Sequence, residues 1–83
     1  MLDLNDVFQP PESRSPREWR KLEERLKVYG TKSELPFGEL WAALNYCRAA
    51  AAVSSGSKDP LAHSAVRHLP RVATGTGGLF FDA

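Results

Sequence analysis

One cysteine and two histidines are the side chains of this sequence most suited to binding zinc. A tetrahedral zinc site needs about four ligands within reach of one another. His63 and His68 are five residues apart, which turns them about 140° away from each other on a helix. Cys47 adds no second thiolate, because it is the single cysteine of the chain. We therefore expect no metal site and no cofactor.

Cys47 is also the best candidate for a catalytic nucleophile. A nucleophilic thiol needs an adjacent base and a polar, accessible surrounding that stabilises the thiolate. Cys47 instead follows an apolar stretch of alanine, leucine and aromatic residues, and burial among apolar groups raises the pKa of a thiol. We expect a buried structural thiol and a protein that is not an enzyme.

The glycine-rich stretch from Gly75 to Gly78 is a weak candidate for a phosphate-binding loop. In a P-loop the glycines follow a strand and precede a lysine and a helix. Here they are followed by Leu79, Phe80 and Phe81. The stretch is therefore typical of a linker that carries an apolar terminal segment.

Length and charge restrict the classes of protein to which this chain can belong. Its 83 residues make one domain whose core contributes only about 3–5 kcal/mol, so a stable fold depends on good helix packing, an oligomer or a partner. The net charge of +1 is too small for a strongly electrostatic nucleic-acid binder.

The sequence also bears on the compartment. The lone cysteine cannot form an internal disulfide, and the first residues do not resemble a leader peptide. The longest apolar run, residues 40–53, is interrupted by Asn45 and Arg48 and is too short to span a bilayer. We expect no membrane span and a cytoplasmic location.

The elements that must position these side chains are helices. Ser15, Pro16 and Glu18 form a capping-box pattern at the start of the first long helix. Apolar residues at spacings of three and four predict its buried stripe, and Gly30 predicts its end. That stripe consists of Trp19, Leu22, Leu26 and Tyr29.

A second helix is predicted from near Pro36 to about Val53, and it is apolar on nearly every side. We expect one broad face to form the core against the first helix: Phe37, Leu40, Trp41, Leu44, Cys47 and Ala51. The opposite side is a seam of mainly small residues, named the alanine seam: Ala42, Tyr46, Ala49 and Val53. A helix that is apolar all round is normally buried on two sides.

A third helix is predicted to begin at Pro60, because Asp59 can cap it and proline is tolerated at the first helical position. Pro70 predicts its end. The predicted fold is all-α, a small three-helix bundle with irregular ends. The predicted organisation is an extended N-terminal segment, residues 1–15, a helical domain, residues 16–70, and a glycine-rich C-terminal tail, residues 71–83.

The alanine seam leaves two interpretations open. Either the third helix and the tail cover it, or another copy or a partner helix docks on it, since alanines permit close approach and Tyr46 supplies an aromatic anchor. Arg48 has two interpretations as well: it extends its charged end into solvent, or it pairs with a glutamate of the first helix.

The functional hypothesis is a non-enzymatic interaction protein, an adaptor, assembly factor or regulator of the kind common among bacterial, phage and other viral accessory proteins. It binds a protein partner or another copy of itself. Besides the alanine seam, the expected contact residues lie on the second helix and in the two apolar ends, which resemble short groove-binding segments. These further residues are Leu4, Phe8, Trp41, Arg48, Phe80 and Phe81.

The alternative hypothesis is a small nucleic-acid-binding regulator that uses basic residues of the first helix. These residues are Arg17, Arg20, Lys21, Arg25 and Lys27. The hypothesis is less favoured, because the glutamates interspersed among them are typical of an ordinary solvated surface. In addition, a recognition helix presents polar side chains to base edges, whereas the second helix presents alanines.

Overall fold

The computed structural model describes residues 4–32 and 37–74 and shows a small all-α bundle. A short helix α1, Leu4–Val7, is followed by a 3₁₀ turn, Pro11–Ser13. Three long helices come next: α2, Pro16–Lys32, α3, Phe37–Ser54, and α4, Pro60–Thr74. The all-α, three-helix prediction is confirmed.

The two predicted caps form as expected. At the start of α2 the Ser15 hydroxyl accepts a hydrogen bond from the Glu18 N–H at 3.2 Å, and the Glu18 carboxylate accepts one from the Ser15 N–H at 2.9 Å. At the start of α4 the Asp59 carboxylate accepts a hydrogen bond from the Leu61 N–H at 3.0 Å. Each cap satisfies amide groups that have no partner within the helix.

The C-terminus of α3 closes in a Schellman motif. Ser57 N–H donates to the Ala52 carbonyl and Gly56 N–H donates to the Val53 carbonyl. Gly56 has a φ of 96°, a left-handed conformation that glycine adopts without steric penalty. The short connection from Ser54 to Pro60 returns the chain, so that α4 packs along α3.

Helix α3 lies between α2 and α4, and among the described residues those two helices make few contacts with each other. The Cα atoms extend over 33 × 33 × 15 Å. The Cα atoms of one helix span only about 5 Å across its axis, so the shortest of these extents holds more than one layer of backbone. The N-terminal segment packs against α3.

Two predicted helix ends are wrong. Helix α2 continues to Lys32, and Gly30 keeps helical geometry inside it. A β-carbon at residue 30 would lie 2.5 Å from Leu40 Cδ2, so this glycine leaves room for the Leu40 side chain against α2. Helix α4 continues through Pro70 to Thr74, because Leu69 is buried and Val72 packs against the core, which anchors the helix on both sides of the proline.

The N-terminal segment also differs from the extended conformation expected for it. It forms α1 and the 3₁₀ turn, and Val7 is fully buried. The Trp19 indole N–H donates to the Pro11 carbonyl at 2.9 Å, and the Arg14 guanidinium lies 4.7 Å above the Trp19 ring. These contacts bend the segment back onto α2 and α3. Residues 75–83 of the predicted tail lie outside the described residues.

Candidate protein-interaction surface

Most of the alanine seam is buried. Ala42 and Tyr46 are buried, Ala49 is 9% exposed and Val53 is half-buried. Helix α4 and the N-terminal segment pack against α3 within the same chain. Burial leaves Ala42, Tyr46 and Ala49 little surface that a partner could contact. This burial favours the interpretation in which the chain covers its own seam, with Phe8 and Trp19 packed against Tyr46.

The apolar N-terminal residues pack inward as well. The Phe8 and Tyr46 rings meet edge to face with centroids 5.2 Å apart, and Tyr46 meets Trp19 in the same way at 5.6 Å. Phe8 is thus half-buried and contributes to the fold. The side chain of Leu4 and all of Phe80 and Phe81 lie outside the described residues.

The side of α3 that was predicted to face the core is partly open. Trp41 is 47% exposed, Arg48 is exposed, and Leu44 and Ala52 are only half-buried. These four residues follow one another at spacings of three and four, so they lie on one line along the helix. We name them the Trp41 face. The core prediction for Trp41 is wrong, because α2, α4 and the N-terminal segment cover the other sides of α3.

The Trp41 face adjoins a groove between α2 and α3. The groove has a volume of about 330 Å³. Small side chains, two arginines and a glutamate line it. The lining residues are Arg20, Glu23, Arg48, Ala51, Ala52 and Ser55. The prediction missed this groove, although residues 41, 48 and 55 are spaced by seven, the repeat of a helix-packing seam.

Arg48 pairs with a glutamate of α2, which was one of its two predicted interpretations. Its Nε donates to Glu23 Oε2 at 2.6 Å. The Glu23 side chain is only 13% exposed, whereas that of Arg48 is 60% exposed, and Lys27 approaches the same carboxylate at 3.6 Å. The guanidinium is therefore held across the groove and still presents surface to solvent.

The structure places the reactive side chains Cys47 and His63 on different helices, α3 and α4. Cys47 is 1% exposed, and burial, with the nearby Glu23 charge as a smaller cause, raises the pKa of its thiol to about 12. His63 Nε2 lies 2.8 Å from the Ser57 carbonyl. Among the described residues no three His, Cys, Asp or Glu side chains are grouped so that they could hold a metal ion.

The basic residues of the first predicted helix all lie on the exposed side of α2. Arg17, Arg20, Lys21, Arg25 and Lys27 are exposed, and Lys27 pairs with Glu23 and Glu24. A second basic surface, missed in the prediction, lies on α4. It consists of Ser64, Arg67, His68 and Arg71. The signal for it is the sequence from Pro60 to Thr74, which contains arginines and histidines but no acidic residue.

No helix in the described ranges has the length and hydropathy needed to cross a membrane. Compared with models of protein families, with curated protein sequences and with solved structures, the chain matches none.

Proposed function

We propose that this protein is a non-enzymatic interaction module, an adaptor, assembly factor or regulator, that binds a protein partner through the Trp41 face. The observation that supports the proposal best is the half-exposed indole of Trp41, which lies beside the half-buried Leu44 and the exposed Arg48 on a partly open side of the central helix. The proposal includes a reducing, cytoplasmic-type compartment, in keeping with the free thiol of Cys47.

The residue types of the Trp41 face are those that dominate binding energy at protein interfaces. Tryptophan and arginine are enriched among residues whose truncation weakens binding most, and they act when a partner excludes water around them. In the free chain about half of the Trp41 side chain meets water. A partner that covered it would remove this apolar surface from water, which favours association.

The original set of contact residues is reduced accordingly. Trp41 and Arg48 remain contact candidates, and the predictions for Val53, Leu4, Phe80 and Phe81 stay untested. Ala42, Tyr46 and Phe8 instead stabilise the fold, because their side chains pack in or against the core cluster, and Ala49 is only 9% exposed.

Site-specific photo-crosslinking in the producing cell tests the proposal. A benzophenone-bearing amino acid at position 41 should give discrete higher-mass adducts. The same residue at position 61 is the control, because Leu61 is 78% exposed but lies on α4. The partner captured in the adduct is then identified and purified in its free form. Its affinity is measured for the wild type, Trp41→Ala and Leu61→Ala. Loss of affinity in Trp41→Ala alone supports the proposal, and adducts from neither position, or equally from both, contradict it.

A second candidate function is nucleic-acid binding, favoured by the exposed basic residues of α2 and by the basic surface of α4. Backbone contacts by arginine and lysine make affinity fall steeply as salt rises. Gel-shift titrations with generic DNA and RNA at low and physiological salt test it. Binding should weaken when Arg17, Lys21 and Arg25 are replaced by glutamine, and absence of a shift at low salt excludes this candidate.

A further inference from the structure

We infer that the basic surface of α4 binds the phosphate backbone of a nucleic acid. The inference goes beyond the Trp41 face and its protein partner. It rests on the second candidate function, nucleic-acid binding, and assigns the main phosphate contacts to α4 rather than to α2.

The first support is the distribution of charge along the chain. Eight of the ten acidic residues precede residue 40, and Asp59 is the only acidic residue from there to the end of α4. The net charge of +1 therefore conceals a second half in which arginine and lysine are in excess. A local excess of positive charge attracts a polyanion even where the net charge of the whole chain is small.

The basic residues of α2 lie among carboxylates, whereas those of α4 do not. Lys27 is paired with both Glu23 and Glu24. Arg67 forms no ion pair within the described ranges, and the described residues that line its surface include no carboxylate. A phosphate that approaches α4 therefore meets positive charge without an adjacent carboxylate that repels it.

The side chains of this surface lie together on one side of the helix. Ser64, Arg67, His68 and Arg71 are separated by three, one and three positions, so they project from one face of α4. All four are exposed and line an open depression of about 310 Å³. From Ser64 to Arg71 the surface is about 10 Å long, which matches about three phosphates of one DNA strand at a rise of about 3.4 Å each.

The chemistry of the lining groups fits phosphate oxygens. A guanidinium donates parallel hydrogen bonds to a phosphate, and serine hydroxyls and side-chain N–H groups add single hydrogen bonds to a nucleic-acid backbone. Sites for small ligands enclose most of the ligand in a concave pocket. The open, elongated surface of α4 instead favours a chain of phosphates over one enclosed anion.

The opposite face of α4 holds the basic surface in place and argues against a lipid as the source of the phosphates. Leu69 is buried, and Ala65, Val66 and Val72 pack against the core. A helix that binds at a membrane surface inserts its apolar face among the lipids. In this chain that face is already packed within the protein.

Fluorescence anisotropy of a short labelled DNA oligonucleotide, single-stranded or duplex, tests the inference with the full chain at several salt concentrations. The wild type should bind at low salt and weaken as salt rises. Replacing Arg67 and Arg71 by glutamine should weaken binding roughly tenfold and reduce the slope of log Kd against log salt by about two.

The matched control removes the same two charges from α2. Arg17→Gln with Arg25→Gln should have a smaller effect on both the affinity and the salt slope, because carboxylates surround these residues. An equal or larger loss in this control retains nucleic-acid binding as a candidate but overturns the assignment to α4. Absence of binding at low salt excludes both.

Two further variants separate the contact from the fold and from the Trp41 face. Ser64→Glu places a carboxylate on the same surface at an exposed position, so it should abolish binding while the urea unfolding midpoint stays close to that of the wild type. A Ser64→Glu protein that binds as the wild type does overturns the inference. Trp41→Ala should leave the affinity for the oligonucleotide unchanged, so this result is independent of the protein partner.

Competition identifies the source of the negative charge. Polyglutamate carries carboxylates in place of phosphates, and phosphatidylglycerol vesicles carry phosphates on a lipid surface. At equal total charge each should displace the oligonucleotide less well than unlabelled DNA does. Displacement by polyglutamate or by the vesicles as efficient as displacement by DNA overturns the inference.

Discussion

The phenol hydroxyl of Tyr46 donates a hydrogen bond to the backbone carbonyl of Gln9, thirty-seven residues earlier in the chain. The Tyr46 ring also packs edge to face against both Phe8 and Trp19. One side chain in the middle of α3 therefore joins α3 to α2 and to the N-terminal segment. These contacts explain why Tyr46, a residue of the alanine seam, is covered by other parts of the same chain.

Removing that hydroxyl should lower stability. Tyr46→Phe leaves the Gln9 carbonyl without this donor, and we expect the free energy of unfolding to fall by about 1 kcal/mol. Tyr46→Ala removes the ring as well and should lower it by roughly 3–5 kcal/mol. Urea denaturation measures both changes. Tyr29→Phe, a half-buried tyrosine of α2, is the matched control, and an equal loss there would contradict the role assigned to the Gln9 contact.

Gly30→Ala should lower stability even though alanine is the better helix former. The propensity gain is about 0.5–1 kcal/mol, but the new β-carbon would lie 2.5 Å from Leu40 Cδ2, and overpacking costs about 1–3 kcal/mol. In a Leu40→Ala background the obstruction is gone, so the same substitution should become stabilising. Thermal unfolding of the wild type, Gly30→Ala, Leu40→Ala and the double variant measures whether the effect of Gly30→Ala changes sign. The same sign in both backgrounds would show that Leu40 is not the obstruction.

Glu18 should make stability depend on acid pH. Hydrogen bonds from the Ser15 backbone and side chain lower the pKa of this carboxyl below its usual 4.5. The folded state therefore favours the carboxylate, and the resulting stabilisation is present above the unfolded-state pKa and is lost as pH falls through the folded-state pKa. The stability difference between the wild type and Glu18→Gln should shrink over that range. A difference independent of pH, measured by urea denaturation at each pH, would contradict this.

The thiol of Cys47 should be inert in the folded protein. A pKa raised to about 12 leaves almost no thiolate at neutral pH, and the side chain is buried. Alkylation by iodoacetamide, followed by mass spectrometry, should proceed only as fast as the chain unfolds. Gly38→Cys provides an exposed thiol in the same chain as an internal control. Alkylation of Cys47 faster than in the urea-unfolded chain would instead indicate an activated nucleophile.

Replacing Pro70 should stabilise α4. Proline inside a helix removes one backbone hydrogen bond and costs about 3 kcal/mol. Because Pro70 lies in the last turns of α4, we expect Pro70→Ala to raise the free energy of unfolding by roughly 1–3 kcal/mol. Chemical denaturation with far-ultraviolet circular dichroism measures it. Ser64→Ala, on the exposed side of the same helix, separates this effect from the general helix propensity of alanine.

Local sequence determined where two helices begin and which side of α2 faces the core. Ser15 with Glu18, and Asp59 before Pro60, act through hydrogen bonds to nearby amides, and the Trp19 stripe follows from helical periodicity. Such interactions need no information from distant residues. The burial of Cys47 also followed from sequence, because Cys47 lies on a helix that is apolar on both sides.

Only the tertiary structure decided which side of α3 stays open. When a helix is apolar nearly all round, its periodicity favours no face, and the choice falls to the elements that pack against it. Here α2 and the N-terminal segment enclose Tyr46, α4 packs along α3, and Trp41 stays partly in water. The role of Gly30 and the continuation of α4 through Pro70 were decided in the same way, because contacts with residues remote in sequence outweigh the local preferences of glycine and proline.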